Sequence, residues 1–434
     1  MAAANGQDDK KKRRALMVVI DGCGIGAAPD AAEFGDLPDC NTLGNTAREV
    51  GGLNLPYMQG LGLGNIAPIA GVSEQAKTTG LYGKLQERSN GKDTQTGHWE
   101  MMGVINTAPF PYYPNGFPAE VIDRFIEETQ CGGILCNKPA SGTQVLDELA
   151  EEHRRTLFPI VYTSGDSVFQ IATNVDVIPL ATLYKWSEIA RRILDGKHRV
   201  GRVIARPFNG EPGNYKRLSG DRRDYAIPPP ARTLLDVLTE QGMGIFGVGK
   251  IEDIFVGQGL THAKHTGSNK QGLELTLQAI KNEIDYNPIA IVKDKPENVQ
   301  LIFTNLVDTD SMYGHRRNVK GYAHALTEID QWLGKIMAAM SDDDLLIISS
   351  DHGNDPTAAG TDHTREFVPL LAYSPILAKS SVNLCAGVRN GFTDIAASLA
   401  DWLGNRWDGA GVSFLANDRA SEARGTPAMP EATV

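Results

Sequence analysis

The chain has 434 residues and carries 53 acidic against 42 basic side chains, which gives a formal net charge of −11. This acidic excess argues against a general nucleic-acid binder, which needs a broad basic surface, and against a protein held on anionic lipid by basic residues. Hydrophobic residues make up 41% of the chain, so a packed core is expected. A length beyond ~300 residues permits more than one domain.

The cysteines and the apolar runs indicate the compartment. Five cysteines are too few to organise a disulfide framework, which favours a reducing compartment, and we expect a cytoplasmic protein. No apolar run approaches the ~20 residues that a membrane span requires. The basic segment 10–14 precedes an apolar run at 15–20 that stops at Asp21 and is too short for a signal peptide. We therefore expect neither nucleic-acid nor membrane partners.

Four short apolar runs end in polar residues, at 15–20, 245–248, 301–307 and 345–350. Runs of this length that are rich in β-branched residues predict buried strands. Helix-like segments lie between them, such as 322–340, in which apolar residues recur at helical spacing. Alternation of strands and helices predicts an α/β fold with a doubly wound, mostly parallel sheet.

The middle of the chain has a different character. It is rich in proline and glycine at its edges, 109–118 and 228–230, and has its own strand-like runs at 158–162 and 202–205 and a helix-like stretch at 183–194. We therefore predict a discontinuous core formed by 1–108 and 229–434, with an inserted α+β cap domain at 109–228 whose edges serve as hinges.

Acidic side chains, some of them followed by histidines, stand after three of the predicted strands. Ligands of doubly wound sheets bind beyond the carboxyl ends of the strands, where several carboxylates would repel each other without a cation. Each residue alone is more often a turn or capping residue, and their joint occurrence indicates a metal site. Carboxylate with imidazole suits Mn²⁺ or Zn²⁺, and six ligands suit two metals. The acids at this edge are Asp21, Asp308, Asp310 and Asp351, and the candidate ligands are Asp21, Asp310, His315, Asp351, His352 and His363.

A candidate nucleophile lies in segment 91–100, Gly-Lys-Asp-Thr-Gln-Thr-Gly-His-Trp-Glu. A hydroxyl on a turn that leads into a helix could ligate a metal, and the helix N-terminus would favour phosphate oxygens. Residue chemistry alone does not separate Thr94 from Thr96. The alternative is a threonine-rich turn that only caps the helix.

At these residues the chain resembles the phosphopentomutases of the alkaline-phosphatase superfamily. The matching segments are spread from about residue 16 to about residue 415, nearly the whole chain. Segments 91–103 and 360–366 are the specific ones, whereas Asp351-His352-Gly353 alone would indicate only the superfamily. The matching segments are 21–30, 91–103, 162–167, 201–207, 305–317 and 350–369.

The resemblance implies a fold and a set of site residues. The fold would be an alkaline-phosphatase-like doubly wound core with an inserted cap, holding two Mn²⁺ ions, with Mg²⁺, Zn²⁺ or Co²⁺ as substitutes. One ion would be held by Asp21, Asp351 and His352, and the other by Asp310, His315 and His363. Thr94 would be the phosphorylated nucleophile. The substrate-binding residues implied are Ser164, Asp166, Arg202, Ile204, Arg206 and Lys250.

The resemblance also implies an activity, that of an isomerase which transfers phosphate within a pentose. Ribose 5-phosphate and ribose 1-phosphate, and the 2-deoxyribose equivalents, would be interconverted through a phosphothreonine enzyme and a bisphosphate intermediate, with a sugar bisphosphate as activator. The expected partners are small pentose phosphates, and the oligomeric state stays open. The alternatives are a metal-dependent phosphatase, another phosphomutase such as the cofactor-independent phosphoglycerate mutases, which usually have a serine nucleophile, and a metal-binding protein without catalysis.

Overall fold

The computed structural model describes residues 13–142, 144–164, 167–293, 296, 298–379 and 384–415. Ala108–Pro228 forms one compact unit, and the remaining described residues form the other. The three lysines of the basic segment 10–14 and the predicted substrate residue Asp166 lie outside the described residues.

Within the described residues, the larger unit is built on an eight-stranded sheet in the order β10-β9-β11-β1-β12-β13-β2-β14, with strands numbered along the chain. Strands β10, β9, β11, β1 and β12 are parallel, β13 is antiparallel to both of its neighbours, and β14 is parallel to β2. Its strands are β1 (Arg14–Ile20), β2 (Leu81–Gln86), β9 (Gly244–Val248), β10 (His262–Lys264), β11 (Val299–Leu306), β12 (Asp344–Ser349), β13 (Val368–Tyr373) and β14 (Leu384–Asn390).

Helices connect these strands along the chain. Within the described residues, none of them combines the length and the apolar character needed to span a membrane. They are α1 (Thr42–Glu49), α2 (Pro56–Leu61), α3 (Leu63–Ile66), α4 (Thr94–Met101), α8 (Leu234–Glu240), α9 (Ile251–Phe255), α10 (Asn269–Ile280), α11 (Val319–Ala339), α12 (Pro375–Ala378) and α13 (Thr393–Leu403).

The central strand β1 is buried on both faces. Leu16 and Val18 belong to a hydrophobic cluster that includes Leu326 of α11, while Met17 and Val19, which point the other way, are equally buried. Two-sided burial is what a parallel sheet covered by helices requires. The predicted α/β class with a mostly parallel sheet is thereby confirmed.

The four predicted strands of this unit correspond to β1, β9, β11 and β12, with ends that shift by at most two residues. The predicted helix 322–340 is α11, which begins earlier because the side chain of Asn318 accepts a hydrogen bond from the backbone N–H of Gly321. Strands β2, β10, β13 and β14 have no counterpart among the predicted strands. They include the antiparallel pairings of the sheet.

The second unit has a sheet of its own, in the order β3-β4-β5-β6-β7 with β8 also paired to β6. On one face Phe169 and Val203 pack with Phe125 and Leu183 of the helices, and the other face has a smaller cluster around Tyr162. The strands are β3 (Leu135–Pro139), β4 (Ile160–Thr163), β5 (Val168–Asn174), β6 (Arg202–Asn209), β7 (Lys216–Arg217) and β8 (Arg223–Ala226), and the helices are α5 (Ala119–Thr129), α6 (Gln144–Thr156) and α7 (Leu180–Ile193).

A buried histidine links α6 to β5 in this unit. Nδ1 of His153 donates to the carbonyl oxygen of Phe158 at 2.7 Å, and its Nε2 accepts from the backbone N–H of Asn174 at 2.8 Å. Burial lowers the pKa of His153, with the hydrogen bond to Phe158 opposing this and Arg154 adding to it. The folded state therefore resists a proton that the unfolded chain accepts below about pH 6.5, so stability falls as the pH falls through that value.

We expect a His153→Gln variant to lose stability less steeply than the unmodified protein between about pH 7.5 and about pH 5.5, because glutamine takes up no proton in this range. Urea unfolding of the full chain at several pH values, followed by circular dichroism, measures the slope. His324→Gln is the matched control, since the side chain of His324 is 71% exposed on α11. Equal slopes for His153→Gln and the unmodified protein would contradict the prediction.

Candidate active site

The central strands β11, β1 and β12 lie side by side, and each is followed by candidate ligands. Asp21 directly follows β1, and Asp351 and His352 follow β12 after a single residue. Asp310 lies in the π-helical turn Thr309–Gly314 after β11. Because the carboxyl ends of neighbouring parallel strands meet at one edge of the sheet, these side chains converge there.

The two remaining ligands come from loops. His315 follows Asp310 at the end of the same turn, and His363 is brought back by an isolated antiparallel bridge between Gly353 and Thr364. One donor atom from each of Asp310, His315 and His363 lies within 4.8 Å of the others. The carboxylate of Asp310 reaches Nε2 of His363 at 3.2 Å and Nε2 of His315 at 3.3 Å.

The ring nitrogens of these histidines indicate a cation. Nδ1 of His315 is 2.6 Å from the carbonyl oxygen of Thr361, and Nδ1 of His363 is 2.8 Å from that of Lys92. A carbonyl oxygen only accepts, so Nδ1 of each ring donates a hydrogen bond and Nε2 is the atom that faces the carboxylate of Asp310. The two Nε2 atoms are 3.0 Å apart. A bound cation would stabilise this close approach of two ring nitrogens, and one carboxylate with two imidazoles suits Mn²⁺ or Zn²⁺.

A second group with donors inside the same 4.8 Å limit consists of Asp21, Asp310 and His352. Nε2 of His352 is 3.4 Å from Oδ1 of Asp21 and 3.3 Å from Oδ2 of Asp351. These two buried oxygens make no hydrogen bond with any described residue, which leaves them available as ligands. Burial raises the pKa of Asp21, and the carboxylates of Asp351 and Asp310 raise it further. A cation would offset this repulsion.

The structure brings all six candidate ligands together but groups them differently from the division implied by the resemblance. Asp310 belongs to both groups of donors. Asp351 contacts His352 and also lies 3.3 Å from Nδ1 of His98. Burial would raise the pKa of Asp351, but His352 and His98 outweigh it and hold the pKa at about 2. The assignment of individual ligands to each ion stays a prediction.

The candidate nucleophile lies at the start of α4. Asp93 caps this helix, because its side chain accepts from the backbone N–H groups of Gln95 and Thr96. The hydroxyl of Thr96 donates to the carboxylate of Asp93 at 2.9 Å and so serves the cap. Oγ1 of Thr94 instead lies 3.2 Å from Nε2 of His352. The geometry thus separates two threonines that residue chemistry left equivalent, and Thr94 is the one beside the ligands.

Two glycines permit the close packing around the ligands. A Cβ at Gly97 of α4 would lie 2.2 Å from the carbonyl oxygen of Asp351. Gly22, which follows the first ligand, has a φ of +70°, and a Cβ there would lie 3.2 Å from Oδ1 of Asp310. A side chain at Gly97 would force α4, and Thr94 with it, away from the end of β12.

Sequence reasoning missed the buried polar residues that hold the ligands in place. Nδ2 of Asn305 donates to Asp21 at 2.9 Å and lies 3.3 Å from Nε2 of His98. Nδ2 of Asn354 donates to Asp310 at 2.7 Å. All three residues fall within the matching segments, which was the available signal. Their burial beside the ligands depends on contacts between distant parts of the chain.

The second unit presents a group of predicted substrate residues on one strand. Arg202, Ile204 and Arg206 alternate along β6, so they point to one face of their sheet, whereas Val203 and Ala205 point into the hydrophobic cluster on the other face. This placement joins three of the predicted residues into one surface of the second unit.

Further arginines surround Arg206. Burial is the largest influence and lowers the pKa of Arg206, Tyr162 and Asp224 raise it, and the charges of Arg222 and Arg217 lower it further. Asp224 is 2.7 Å from Nε of Arg222 and 3.7 Å from Nη1 of Arg202. Nε of Arg206 is buried without a hydrogen bond to any described residue. Clustered guanidinium groups are suited to bind an anion such as phosphate, and Arg217 and Arg222 extend the predicted set.

Three other residues considered at the level of the sequence lie at strand ends. Ser164 directly follows β4 and is half-buried. Lys250 follows β9, and its carbonyl oxygen accepts from the backbone N–H of Ile254 at 2.9 Å in α9. Asp308 belongs to neither donor group in the described part of the chain. Its carboxylate accepts from the backbone N–H of Asn269 at 2.7 Å and holds the start of α10.

Comparison with known proteins shows the family to which this chain belongs. The model of the metalloenzyme superfamily matches residues 13–406. The chain is 51% identical over 402 residues to a phosphopentomutase of Carboxydothermus hydrogenoformans, which covers 93% of this chain and 98% of that protein. It is 50% identical over 402 residues to a phosphopentomutase of Deinococcus radiodurans, which covers 92% of this chain and 98% of that protein. Because such identity extends over nearly the full length of both proteins, the chain belongs to the phosphopentomutase family of the metalloenzyme superfamily and is an enzyme of the mutase class.

Proposed function

We propose that this enzyme interconverts ribose 5-phosphate and ribose 1-phosphate, and the 2-deoxyribose equivalents, through a phosphorylated Thr94 and a sugar bisphosphate intermediate. The observation that carries the proposal is the hydroxyl of Thr94, 3.2 Å from Nε2 of His352 at the edge of the ligand cluster. The name of the relatives at about 50% identity supports the same reaction. We further propose that a sugar bisphosphate activates the enzyme and that it acts in the cytoplasm.

The proposed metal site holds two divalent cations. Asp310, His315 and His363 would bind one of them. Asp21, Asp351 and His352 would bind the other, with Asp310 within reach of both. Mn²⁺ suits this mixture of carboxylate and imidazole, with Mg²⁺, Zn²⁺ or Co²⁺ as substitutes. When bound, the cations would neutralise phosphoryl oxygens and lower the pKa of the Thr94 hydroxyl.

Thr94 would exchange a phosphoryl group with the sugar in two steps. In the first, the bond between Oγ1 of phosphorylated Thr94 and phosphorus breaks as a hydroxyl of the bound pentose phosphate forms a new bond to phosphorus and releases its proton. The product is the bisphosphate. In the second step, Oγ1 of Thr94 forms a bond to the phosphorus of the other phosphoryl group. The bond between that phosphorus and its sugar oxygen breaks, and the sugar oxygen regains a proton. The phosphate has then moved between the 5- and 1-positions and the enzyme is phosphorylated again.

Arginines of the second unit would bind a phosphate group of the sugar. Arg202 and Arg206, with Arg217 and Arg222 beside them, offer guanidinium groups that match phosphate oxygens in pairs. The remaining predicted residues would contact the sugar phosphate, and a hydroxyl of the sugar would be held by Asp166. These residues are Ser164, Asp166, Ile204 and Lys250.

One assay separates this proposal from its alternatives. The full-length protein, loaded with Mn²⁺ and a trace of sugar bisphosphate, is incubated with ribose 5-phosphate, and ribose 1-phosphate and inorganic phosphate are both measured. We expect ribose 1-phosphate with little inorganic phosphate. Release of phosphate as the main product would favour a metal-dependent phosphatase. Turnover of 3-phosphoglycerate instead would favour another phosphomutase, and no turnover by metal-loaded protein would favour a non-catalytic metal binder.

A further inference from the structure

One buried arginine, Arg365, forms hydrogen bonds with the loop 87–91, which leads to Thr94. Its side chain is nearly inaccessible to solvent. Nη1 donates to the carbonyl oxygens of Ser89 at 2.9 Å and Gly91 at 2.5 Å, and Nη2 donates to that of Glu87 at 2.7 Å. Three carbonyl groups from the short segment 87–91 therefore converge on a single guanidinium, just before the start of α4.

Two carboxylates fix the orientation of this guanidinium. Nη1 of Arg365 is 2.6 Å from Oε2 of Glu87, and Nη2 is 2.8 Å from Oδ2 of Asp30. Nε also donates to Asp30, at 3.2 Å. All three guanidinium nitrogens therefore donate hydrogen bonds, and the planar guanidinium group has one orientation in which these bonds form together.

The segment that bears Arg365 also bears a candidate metal ligand. His363 stands two residues earlier, and its Nδ1 donates to the carbonyl oxygen of Lys92 at 2.8 Å. The backbone N–H of Arg365 donates to Asp36 at 2.7 Å, and the other oxygen of Asp36 lies 2.9 Å from Nζ of Lys92. The side chains of His363 and Arg365 therefore bond directly to the loop before Thr94, and the backbone of Arg365 is linked to it through Asp36.

We propose that Arg365 is a positioning residue that sets the distance between the Thr94 hydroxyl and the ligand cluster. It does so by holding the carbonyl groups of 87–91 against the segment that carries His363. This inference rests on the function proposed above. Only Lys92 and Asp93 separate Gly91 from Thr94, so a displacement of the loop is passed on to the hydroxyl. A misplacement of about 1 Å at a reacting atom can cost about 100-fold in rate.

A matched control distinguishes positioning from a general contribution to stability. Arg14 also forms a two-pronged ion pair, with Asp344 at 2.8 and 3.1 Å, and the side chain of Asp344 is nearly inaccessible. Arg14 lies at the start of β1, whereas Asp21 follows the opposite end of that strand. Removing Arg14 breaks a comparable ion pair without touching the loop of Thr94.

The test compares Arg365→Met, Arg365→Lys and Arg14→Met as full-length, Mn²⁺-loaded proteins. The kcat per folded molecule, the KM for ribose 5-phosphate, the Mn²⁺ content and the hydrogen exchange of segment 87–94 are measured. We expect Arg365→Met to lower kcat about 100-fold at nearly constant KM and Mn²⁺ content and to speed exchange in 87–94. The kcat of Arg365→Lys is expected to lie between those of the unmodified protein and Arg365→Met, because one ammonium group cannot replace the planar guanidinium. Arg14→Met loses stability but keeps kcat within about twofold and leaves exchange in 87–94 unchanged.

Equal kcat in Arg365→Met and Arg14→Met, or unchanged exchange in 87–94, would overturn the inference. Should Arg365→Met fail to fold, Arg365→Lys decides the matter, and a kcat equal to that of the unmodified protein overturns it. Failure of the proposed function has a different signature, because the unmodified protein then forms no ribose 1-phosphate. In that case the exchange of segment 87–94 still tests whether Arg365 holds the loop.

Discussion

A Thr94→Val variant is expected to lose at least about 10⁴-fold in mutase kcat while it keeps its fold and its metal content. Valine has nearly the shape of threonine and lacks only the hydroxyl that would accept the phosphoryl group. The hydroxyl of Thr94 lies 3.2 Å from Nε2 of His352, at the edge of the ligand cluster. The measurement is the rate of ribose 1-phosphate formation from ribose 5-phosphate at saturating substrate.

Thr96→Val provides the matched control two residues along the same helix. The hydroxyl of Thr96 is bonded to Asp93, so its loss should cost stability of about 1 kcal/mol and leave most of the activity. A kcat of Thr94→Val within about tenfold of that of the unmodified protein would contradict the assignment of Thr94. A loss of activity confined to Thr96→Val would show that Thr96, and not Thr94, is the nucleophile.

An Asp310→Asn variant is expected to lose both metal content and activity, the latter by at least about 10³-fold. Asp310 is shared by the two groups of candidate ligands, and the amide of asparagine has lost the negative charge that holds a divalent cation. Metal per chain is measured by elemental analysis after dialysis, beside the mutase rate. We expect about two ions per chain in the unmodified protein and fewer than one in the variant.

Asp308→Asn is the matched control for this change. The two acids stand two residues apart after the same strand, but Asp308 accepts from the backbone N–H of Asn269 and an asparagine could still do so. Its metal content should equal that of the unmodified protein. Full metal content in Asp310→Asn, or full activity of the enzyme after removal of metal with a chelator, would contradict the proposed metal site.

The edge of the sheet at which the site lies could be predicted from two signals in the sequence, the apolar runs of the strands and the acidic residues that follow them. Buried parallel strands read as continuous apolar runs, and the runs that become β1 and β12 are followed closely by Asp21 and Asp351. The residues of strand β14 are exposed or half-buried and form no such run, so the sequence pattern does not predict it. Patterning therefore predicts the central strands and their carboxyl ends better than it predicts the edge of the sheet.

Which polar groups take part in the site depends on geometry that no local pattern contains. Asp308 and Asp310 differ only in their place on the turn after β11, and the π-helical turn Thr309–Gly314 directs Asp310 to the histidines. Thr94 and Thr96 differ in the contact that each hydroxyl makes. The hydroxyl of Thr96 bonds to the cap of α4, whereas that of Thr94 lies beside His352. Residue type could supply the candidates, but the three-dimensional path of the backbone selects among them.

The residues that hold the site were beyond sequence reasoning for a related reason. Arg365 reaches carbonyl groups more than 270 positions away along the chain, and Asn305 reaches Asp21 across 284. In a single sequence such residues look like ordinary polar positions of loops and strand ends. The matching segments include Arg365 and Asn305, but the groups that these side chains hold become visible only when burial and hydrogen-bond partners are known.

The central claim is that Thr94 carries the transferred phosphoryl group, and phosphorylation of that residue tests it most directly. The metal-loaded enzyme is incubated with a pentose 1,5-bisphosphate, digested, and analysed by mass spectrometry with localisation of the modified residue, with Thr94→Val treated in parallel. The account predicts one phosphoryl group on Thr94 that is lost when ribose 5-phosphate is added and bisphosphate forms. A mutase that turns over without phosphate on Thr94, or with it on another residue, would contradict the account.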